Sequence, residues 1–212
     1  MTRPAGSTDH AIACVSALAT ACIARAAPVR FGVATLAEDV EAAYRLRHEV
    51  VIEQGWATAD ALPGDLERDA HDDEAVLVAG WHHDRVVATA RLIRPVDEHP
   101  LPTETAFDIT LAGRDRLVDI GRVCVASDYR DAAHRIFRGV LGQVWCEMHR
   151  LGYQEAATVI SDVMARLYER WGLGVTILGP SRMYWGEWRW PARIVPTAAL
   201  ARLLPREPPA SA

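Results

Sequence analysis

The chain has 212 residues, is 50% hydrophobic and carries a formal net charge of -5, which suits one domain with a sizeable core. The acidic balance argues against a nucleic-acid-binding protein, which usually presents a net basic face. All 23 basic residues are arginines, so enzymes that depend on a Schiff-base lysine or a P-loop lysine are excluded.

The N-terminal segment, residues 1–28, contains the apolar run AIACVSALATACIARAA. The run resembles a weak signal peptide, but it is rich in alanine rather than leucine. Its larger apolar residues recur at helical spacing, at Ile12, Val15, Ala19 and Cys22. We therefore predict an additional helix that packs on the domain. No stretch approaches the ~20 apolar residues of a membrane span, so none is expected.

From residue 29 onward, strand and helix patterns mix. VRFGVA predicts a short strand, and a 3.6-residue apolar period predicts an amphipathic helix from Leu36 to about Gln54. After an acidic loop, EAVLVAGW and RVVATARLIRP predict a hairpin. A second irregular stretch, roughly 95–115, precedes the strand LVDIGRVCV. After this strand come, in order, a helix, the strand EAATVI, another helix, the strand GVTILG and the aromatic segment WRWPARIVP.

This order predicts the fold class. A mixed series of strands and helices favours an α/β domain over residues 29–198, with one partly antiparallel, twisted sheet and helices on both faces. Residues 199–212 are predicted to be a flexible tail. The four cysteines, Cys14, Cys22, Cys124 and Cys146, lack CxxC spacing and predict reduced thiols in the cytoplasm.

Charged residues occur at otherwise apolar positions of these elements: Arg47 in the first long helix, Arg91 in the hairpin, and Asp119 and Arg122 in the following strand. Residues three apart in a strand point to opposite faces, so the last two share a face only if the strand is bulged near Gly121. Buried charges are costly unless paired, and one interpretation is therefore a structural ion-pair network.

Two loop acids, Asp69 and Asp72, repeat this three-residue spacing. Three arginines with three acids favour a second interpretation, a receptor for a zwitterion such as an amino acid.

The series resembles that of the autoinducer (acyl-homoserine-lactone) synthases and the N-acyl amino acid synthases, two branches of the GNAT acyltransferase fold. The matching positions are Arg47, Trp56, Asp69, Asp72, Arg91, Phe107, Asp119 and Arg122. The resemblance covers roughly residues 29–195 and implies a GNAT-like sheet with a bulged central strand. The lactone synthases usually have Phe and Glu where this chain has Val51 and Asp119, which argues against S-adenosylmethionine as acceptor.

The resemblance also implies roles in acyl transfer. Asp119 is the expected base and Arg122 its catalytic partner, and backbone N–H groups from Val123 to Val125 are the expected oxyanion donors. Arg47, Trp56, Asp69, Asp72, Arg91 and Phe107 are the expected substrate-binding residues.

The donor site is expected after the bulged strand. YRDAAHRIFRG has no glycine before its last residue, so it does not fit the loop that cradles CoA diphosphate in acetyl-CoA-dependent GNAT enzymes. Arg130, Arg135 and Arg138 are interpreted as a basic surface for the phosphopantetheine of an acidic acyl carrier protein, or else as a solvated helix face. Three tryptophans, Trp145, Trp185 and Trp188, line an acyl channel or belong to the core.

The predicted function is transfer of a fatty acyl group from an acyl carrier protein or acyl-CoA thioester to the amine of an amino acid. No permanently bound cofactor or metal is expected, because His82 and His83 fit a hydrophilic turn and direct transfer needs no Cys124 nucleophile. The alternatives are homoserine-lactone synthesis from S-adenosylmethionine and a non-catalytic acyl- or amino-acid-binding module.

Overall fold

The computed structural model describes residues 5–96 and 99–203. The strands are β1 Arg30–Val33, β2 Val76–His82, β3 Arg85–Ile93, β4 Leu117–Val125, β5 Glu155–Ile160, β6 Leu173–Ile177, β7 Arg182–Tyr184 and β8 Glu187–Pro196. The helices are α1 Ala5–Arg25, α2 Ala37–Glu53, α3 Pro102–Phe107, α4 Arg135–Arg150 and α5 Asp162–Arg170, with 3₁₀ segments at Ala70–Glu74, Ser127–Tyr129 and Ala198–Leu203.

The eight strands form one sheet in the order β1-β2-β3-β4-β5-β8-β6, with β7 paired to β8. The β4–β5 pair is parallel and the other pairs are antiparallel. The predicted α/β class with a partly antiparallel sheet is confirmed. Among the described helices, none has both the length and the apolarity needed to cross a membrane.

Different helices cover the two faces of the sheet. Helix α2 packs on β3 and β4 and buries Leu46, Arg47 and Val50. Helix α4 packs on the opposite face through residues such as Val140 and Val144, and α1 packs on α4. We call these the α2 face and the α4 face.

The central strand β4 is bulged, as predicted. Thr89 of β3 lies opposite Cys124, whereas Arg91 lies opposite Gly121, so a single residue of β3 faces two residues of β4. The left-handed residue of the bulge is Arg122, with φ 54°, and not the glycine before it. The bulge thus lies next to Gly121, as predicted, although the backbone of Gly121 itself stays outside the left-handed region.

Strands β4 and β5 separate after a short contact. They pair from Leu117 to Asp119, opposite Glu155 to Ala157, and no pairing follows in the described part of the sheet. The gap between them opens beside the bulge. It gives the two faces of the sheet a common opening.

Three segments differ from the sequence prediction. Helix α3 lies within the stretch predicted as irregular, and the C-terminal aromatic segment forms β7 and β8, with β8 inserted between β5 and β6. The sequence pattern did not predict β8, because β8 contains Pro191 and Pro196 and proline normally argues against a central strand. Residues 199–203 of the predicted tail belong instead to the last 3₁₀ segment, which contacts α1 and in which Leu200 is 1% exposed. The remainder of the predicted tail, 204–212, lies outside the described residues.

Helices α1 and α4 approach closely at Gly142. A Cβ atom there would lie 2.8 Å from the backbone carbonyl oxygen of Ala19, which has little freedom to move. At Gly32 in β1, by contrast, a Cβ atom would meet its nearest neighbour at 3.6 Å, an ordinary contact.

Gly142→Ala should therefore lower the free energy of unfolding by about 1–3 kcal/mol, because overpacking outweighs the usual helix preference for alanine. Urea unfolding measures the change, and Gly32→Ala is the control, expected to be nearly neutral. A more stable Gly142→Ala protein would contradict this close packing of α1 on α4.

Candidate active site

A buried arginine anchors the α2 face. Arg47 is 0% exposed, and its Nε donates to Glu67 Oε2 at 2.5 Å. Its Nη1 and Nη2 donate to the two carboxylate oxygens of Asp72, at 2.7 and 3.0 Å. All three nitrogens of this guanidinium are thus occupied by carboxylates, in the bidentate geometry that stabilises such pairs.

The same acids bind two further arginines. Nη1 of Arg91 donates to Asp69 Oδ1 at 2.7 Å and to Asp72 Oδ2 at 3.0 Å. Arg122 donates from Nε to Glu67 Oε1 at 2.9 Å and from Nη2 to Asp69 Oδ2 at 3.1 Å. Three arginines and three acids therefore form one network that joins α2, β3 and β4 to the loop 67–72.

The network also sets the ionisation of its acids. Burial raises the pKa of Asp72, but the hydrogen bonds and charge of Arg47 and the charge of Arg91 outweigh burial and lower it to about 2. The pKa of Asp69 is lowered as well, because Arg91 and Arg122 outweigh its burial. Both acids are ionised at neutral pH.

Glu67 is the network residue that the sequence prediction missed. It is 2% exposed and bridges Arg47 to Arg122. In the loop PGDLERDAHDD it stands among other charged residues, and no periodicity separates it from exposed neighbours such as Asp65. In the fold, its backbone N–H donates to the Tyr44 carbonyl at 3.1 Å, which holds this part of the loop against α2.

Asp119, predicted as the third acid of this group, lies on the same face but outside the network. Its Oδ2 accepts the backbone N–H of Thr103, at the start of α3, at 2.8 Å. Burial raises its pKa, the hydrogen bonds from Thr103 and the charge of Arg91 offset this in part, and the result is a pKa of about 6. Asp119 therefore changes charge near neutral pH, whereas the network acids do not.

Open space lies beside Gly121 on the α2 face, and we call this space the cleft. Gly121 follows Asp119 on the α2 face, and apart from its chain neighbours no atom lies within 4 Å of the position that a Cβ would take there. The neighbouring Arg122 is partly exposed, and the Asp69 side chain is 34% exposed. Gly121 is thus the floor of a cleft, with ionised groups beside it.

The hairpin formed by β7 and β8 borders the cleft. Trp56 donates from Nε1 to Glu187 Oε1 at 2.8 Å, and the Arg189 guanidinium lies over the Trp56 ring at 4.6 Å. Trp56 is therefore held against the hairpin and not within the arginine network.

Two further contacts attach the hairpin to the α2 face. The Arg122 guanidinium stacks on Trp185 at 4.7 Å, and the ring of Phe107 lies 6.1 Å from that of Tyr184. The structure thus brings all eight residues of the predicted series to this face, some in the network and some at its rim.

An apolar cavity of about 350 Å³ lies on the α4 face. Its wall beside the β4–β5 gap contains Ile120, Ala156 and Thr158. The helices contribute residues such as Val15, Leu18, Val144, Trp145, Tyr168 and Trp171. Of the three tryptophans predicted for an acyl channel, Trp145 lines this cavity, Trp185 stacks on Arg122, and Trp188 is 59% exposed.

The arginines predicted to form a basic surface are mostly paired. Arg130 donates from Nε to the Val125 carbonyl at 2.8 Å and forms an ion pair with Glu53, also at 2.8 Å. Arg135 pairs with Asp131 at 2.8 Å. Acids of the same surface therefore offset the charge of these two arginines, which favours the alternative interpretation of a solvated helix face.

Arg138 instead faces the cavity. Its guanidinium lies over the Trp171 ring at 4.9 Å, between α4 and the end of α5, and the residue lines the cavity wall. Val123, next to the bulge, packs on the main core. Cys124 is buried, and burial raises the pKa of its thiol to about 12, so it remains a protonated thiol.

Glu67→Gln should lower the free energy of unfolding by about 3–5 kcal/mol, because it leaves buried arginines without their counter-charge. The control is Asp65→Asn, which removes an exposed partner of Arg45 and should cost less than about 1 kcal/mol. Urea unfolding compares the two variants. Equal, small losses would show that Glu67 does not stabilise the network.

Asp119 predicts a pH dependence of stability. Its folded-state pKa of about 6 lies above the ordinary value of 3.8, so the folded protein binds more protons than the unfolded chain between these values. The contribution of Asp119 to stability should thus fall by about 2 kcal/mol as the pH rises from 4 to 7. Urea unfolding of the wild type and of Asp119→Asn, at several pH values, isolates the contribution of the Asp119 carboxyl to the free energy of unfolding. A difference that stays constant or grows with pH would contradict the raised pKa.

Comparison with known proteins relates part of the chain to a known domain family and its fold to known structures. Residues 46–137 match the acetyltransferase (GNAT) domain. No curated protein sequence matches the chain significantly.

Several solved structures share the fold. The CoA-dependent acyl-homoserine lactone synthase BjaI, with SAM and isopentyl-CoA, is 21% identical, with a TM-score of 0.62 over 79% of this chain and 81% of that one. MesI, a CoA-dependent acyl-homoserine lactone synthase, is 18% identical, with a TM-score of 0.64 over 82% and 92%. FeeM, an N-acyl amino acid synthase from uncultured soil microbes, is 15% identical, with a TM-score of 0.62 over 84% and 98%. The expected resemblance is confirmed at the level of the fold: the chain has the GNAT fold, and its residues 46–137 match the acetyltransferase (GNAT) domain.

Proposed function

We propose that the protein is an N-acyltransferase that moves a fatty acyl group from a thioester to the amine of an amino acid. One observation carries the proposal: the charged cleft at Gly121 and the apolar cavity lie on opposite faces of β4, beside the gap where β4 and β5 separate.

The cavity suits the acyl chain. Its volume of about 350 Å³ is within the range of small-molecule pockets, and most of its lining is apolar. A chain held there, with its thioester in the gap, brings the carbonyl carbon to the free edge of β4. Backbone N–H groups from Val123 to Val125 are the proposed donors to the oxyanion that forms during attack.

The cleft suits the amine. An amine attacks a thioester only when neutral, and Asp119, with its pKa of about 6, is the proposed base above that pH, directly or through a water molecule. Arg122 is held by Glu67 and Asp69, so its charge is fixed at the rim of the cleft. In the reaction an amide bond forms, the carbon–sulfur bond breaks, and the amine proton passes through the base to the leaving thiolate.

An acyl carrier protein is the proposed donor, with acyl-CoA as the alternative. The N-terminus of α4, where GNAT enzymes hold CoA diphosphate, is occupied by a carboxylate: Asp131 accepts the backbone N–H of Arg135 at 3.1 Å and its Nε at 2.8 Å. The backbone N–H of Arg135, which a diphosphate would use, is thus already bound by Asp131. No permanently bound cofactor is required. The cysteines Cys14, Cys22, Cys124 and Cys146 are free thiols, which supports a reducing, cytoplasmic setting.

The test is an acyl-transfer assay. Purified protein is incubated with acyl carrier protein or CoA thioesters of several chain lengths and a pool of the protein amino acids. Thiol release and product mass are then measured. We expect N-acyl amino acids. A lactone that appears only with S-adenosylmethionine would assign homoserine-lactone synthesis instead, and no thiol release with any acceptor would refute the proposal.

Gly121→Val tests the position of the cleft. A valine there has space on the α2 face and suits a strand, so the free energy of unfolding should change by less than about 1 kcal/mol. Because the side chain fills the cleft, kcat/KM for the amino acid should fall at least ~100-fold, about 3 kcal/mol in transition-state binding. Gly32→Ala, far from the cleft, should keep wild-type activity. Unchanged activity in Gly121→Val would remove this cleft as the acceptor site.

A further inference from the structure

The C-terminal hairpin, residues 182–189, presents one of its faces to the cleft. Arg182 lies opposite Arg189, and Tyr184 lies opposite Glu187. Alternate residues of a strand share a face, so these four side chains lie on the same face of the hairpin. Their contacts with the cleft residues place them on the α2 face.

Two arginines directly opposite each other in a sheet are unfavourable unless a negative charge compensates them. Arg189 has an ion pair with Glu187, at 3.3 Å. Arg182 donates from Nη1 to the Ala106 carbonyl at 3.4 Å, and no carboxylate in the described ranges lies within ion-pair distance of it. This pair therefore carries more positive charge than its surroundings neutralise.

Arg189 also has hydrogen-bonding capacity to spare. Its Nε is buried and has no partner among the residues that the structure describes. Burial lowers the pKa of Arg189, the charge of Glu187 offsets this in part, and the charge of Arg122 lowers it further. The guanidinium nevertheless has a defined position, over the Trp56 ring. It is an oriented cation whose environment favours a further anion.

Arg47 differs from Arg189 in its exposure and in its hydrogen bonds. It is fully buried, and its three nitrogens already bind carboxylates of the network, so it cannot reach a ligand. Arg122 likewise donates to Glu67 and Asp69. The interpretation of the network as a receptor for a zwitterion thus leaves the carboxylate of that zwitterion without a partner, which the hairpin supplies.

We propose that Arg189, supported by Arg182, binds the carboxylate of the acceptor amino acid and makes the enzyme selective for acceptors that carry one. The inference rests on the proposed acyl transfer. In this arrangement the ionised Asp69 attracts the acceptor's ammonium group, and the amine lies over Gly121. The hairpin is then the element that determines acceptor class.

The experiment compares two acceptor pools, the protein amino acids and their carboxamides, with the wild type, Arg189→Gln and Arg182→Gln. We expect the wild type to prefer the amino acids at least ~10-fold. Arg189→Gln should lose roughly 10- to 100-fold in kcat/KM with the amino acids, mainly through KM, and little with the amides, because one charge-assisted hydrogen-bond pair is lost. Arg182→Gln should lose about two- to fivefold in kcat/KM with the amino acids.

The control variant is Arg116→Gln, an exposed arginine paired with Glu155 away from the hairpin, which should behave as the wild type. Equal acylation of both pools by the wild type, or equal losses with both pools in Arg189→Gln, would overturn the assignment.

A binding measurement separates this inference from the proposed function. Thermal unfolding is followed with each amino acid and its amide, in the absence of any thioester. Stabilisation of the wild type by amino acids but not by amides, and its loss in Arg189→Gln, would support the carboxylate site even if no acyl transfer occurred. Transfer to amino acids with an undiminished preference in Arg189→Gln would instead refute the site alone.

Discussion

Glu67 holds together the elements on which the cleft depends. Its two carboxylate oxygens bind Arg47 of α2 and Arg122 of β4, and through Asp69 and Asp72 the bridge extends to Arg91 of β3. Arg122 is also the left-handed residue of the bulge, a conformation that costs energy outside glycine. The ion pairs therefore compensate the strain that turns the Arg122 side chain toward the cleft.

The bulge and the separation of β4 from β5 have a common consequence. Pairing with β5 ends after Asp119, so the following part of β4 has its edge free for a ligand. Ile120 faces the apolar cavity and Gly121 faces the charged cleft, because adjacent residues of a strand point to opposite faces. A donor with an apolar chain and an acceptor with charged groups can thus approach the same edge from opposite sides.

Charge is distributed unevenly on the α2 face. The buried arginines are neutralised by the acids of the loop 67–72, which fixes the geometry but leaves little for a substrate to bind. The hairpin has the opposite balance, with Arg182 and Arg189 against Glu187. Under the proposed function, structural stability and ligand recognition therefore depend on different arginines.

The sequence by itself determined much of this protein. Apolar periodicity located α2, α4, α5 and the β2–β3 hairpin, and charged residues at apolar positions identified Arg47, Arg91, Asp119 and Arg122, because a buried charge is conspicuous in such a pattern. Only the tertiary structure decided that Glu67 completes the network, that Asp119 stands apart from it, and that β8 lies between β5 and β6. The reason is physical: a charged residue in a polar loop, or a strand interrupted by prolines, has no local signal, and its role follows from partners distant in the chain.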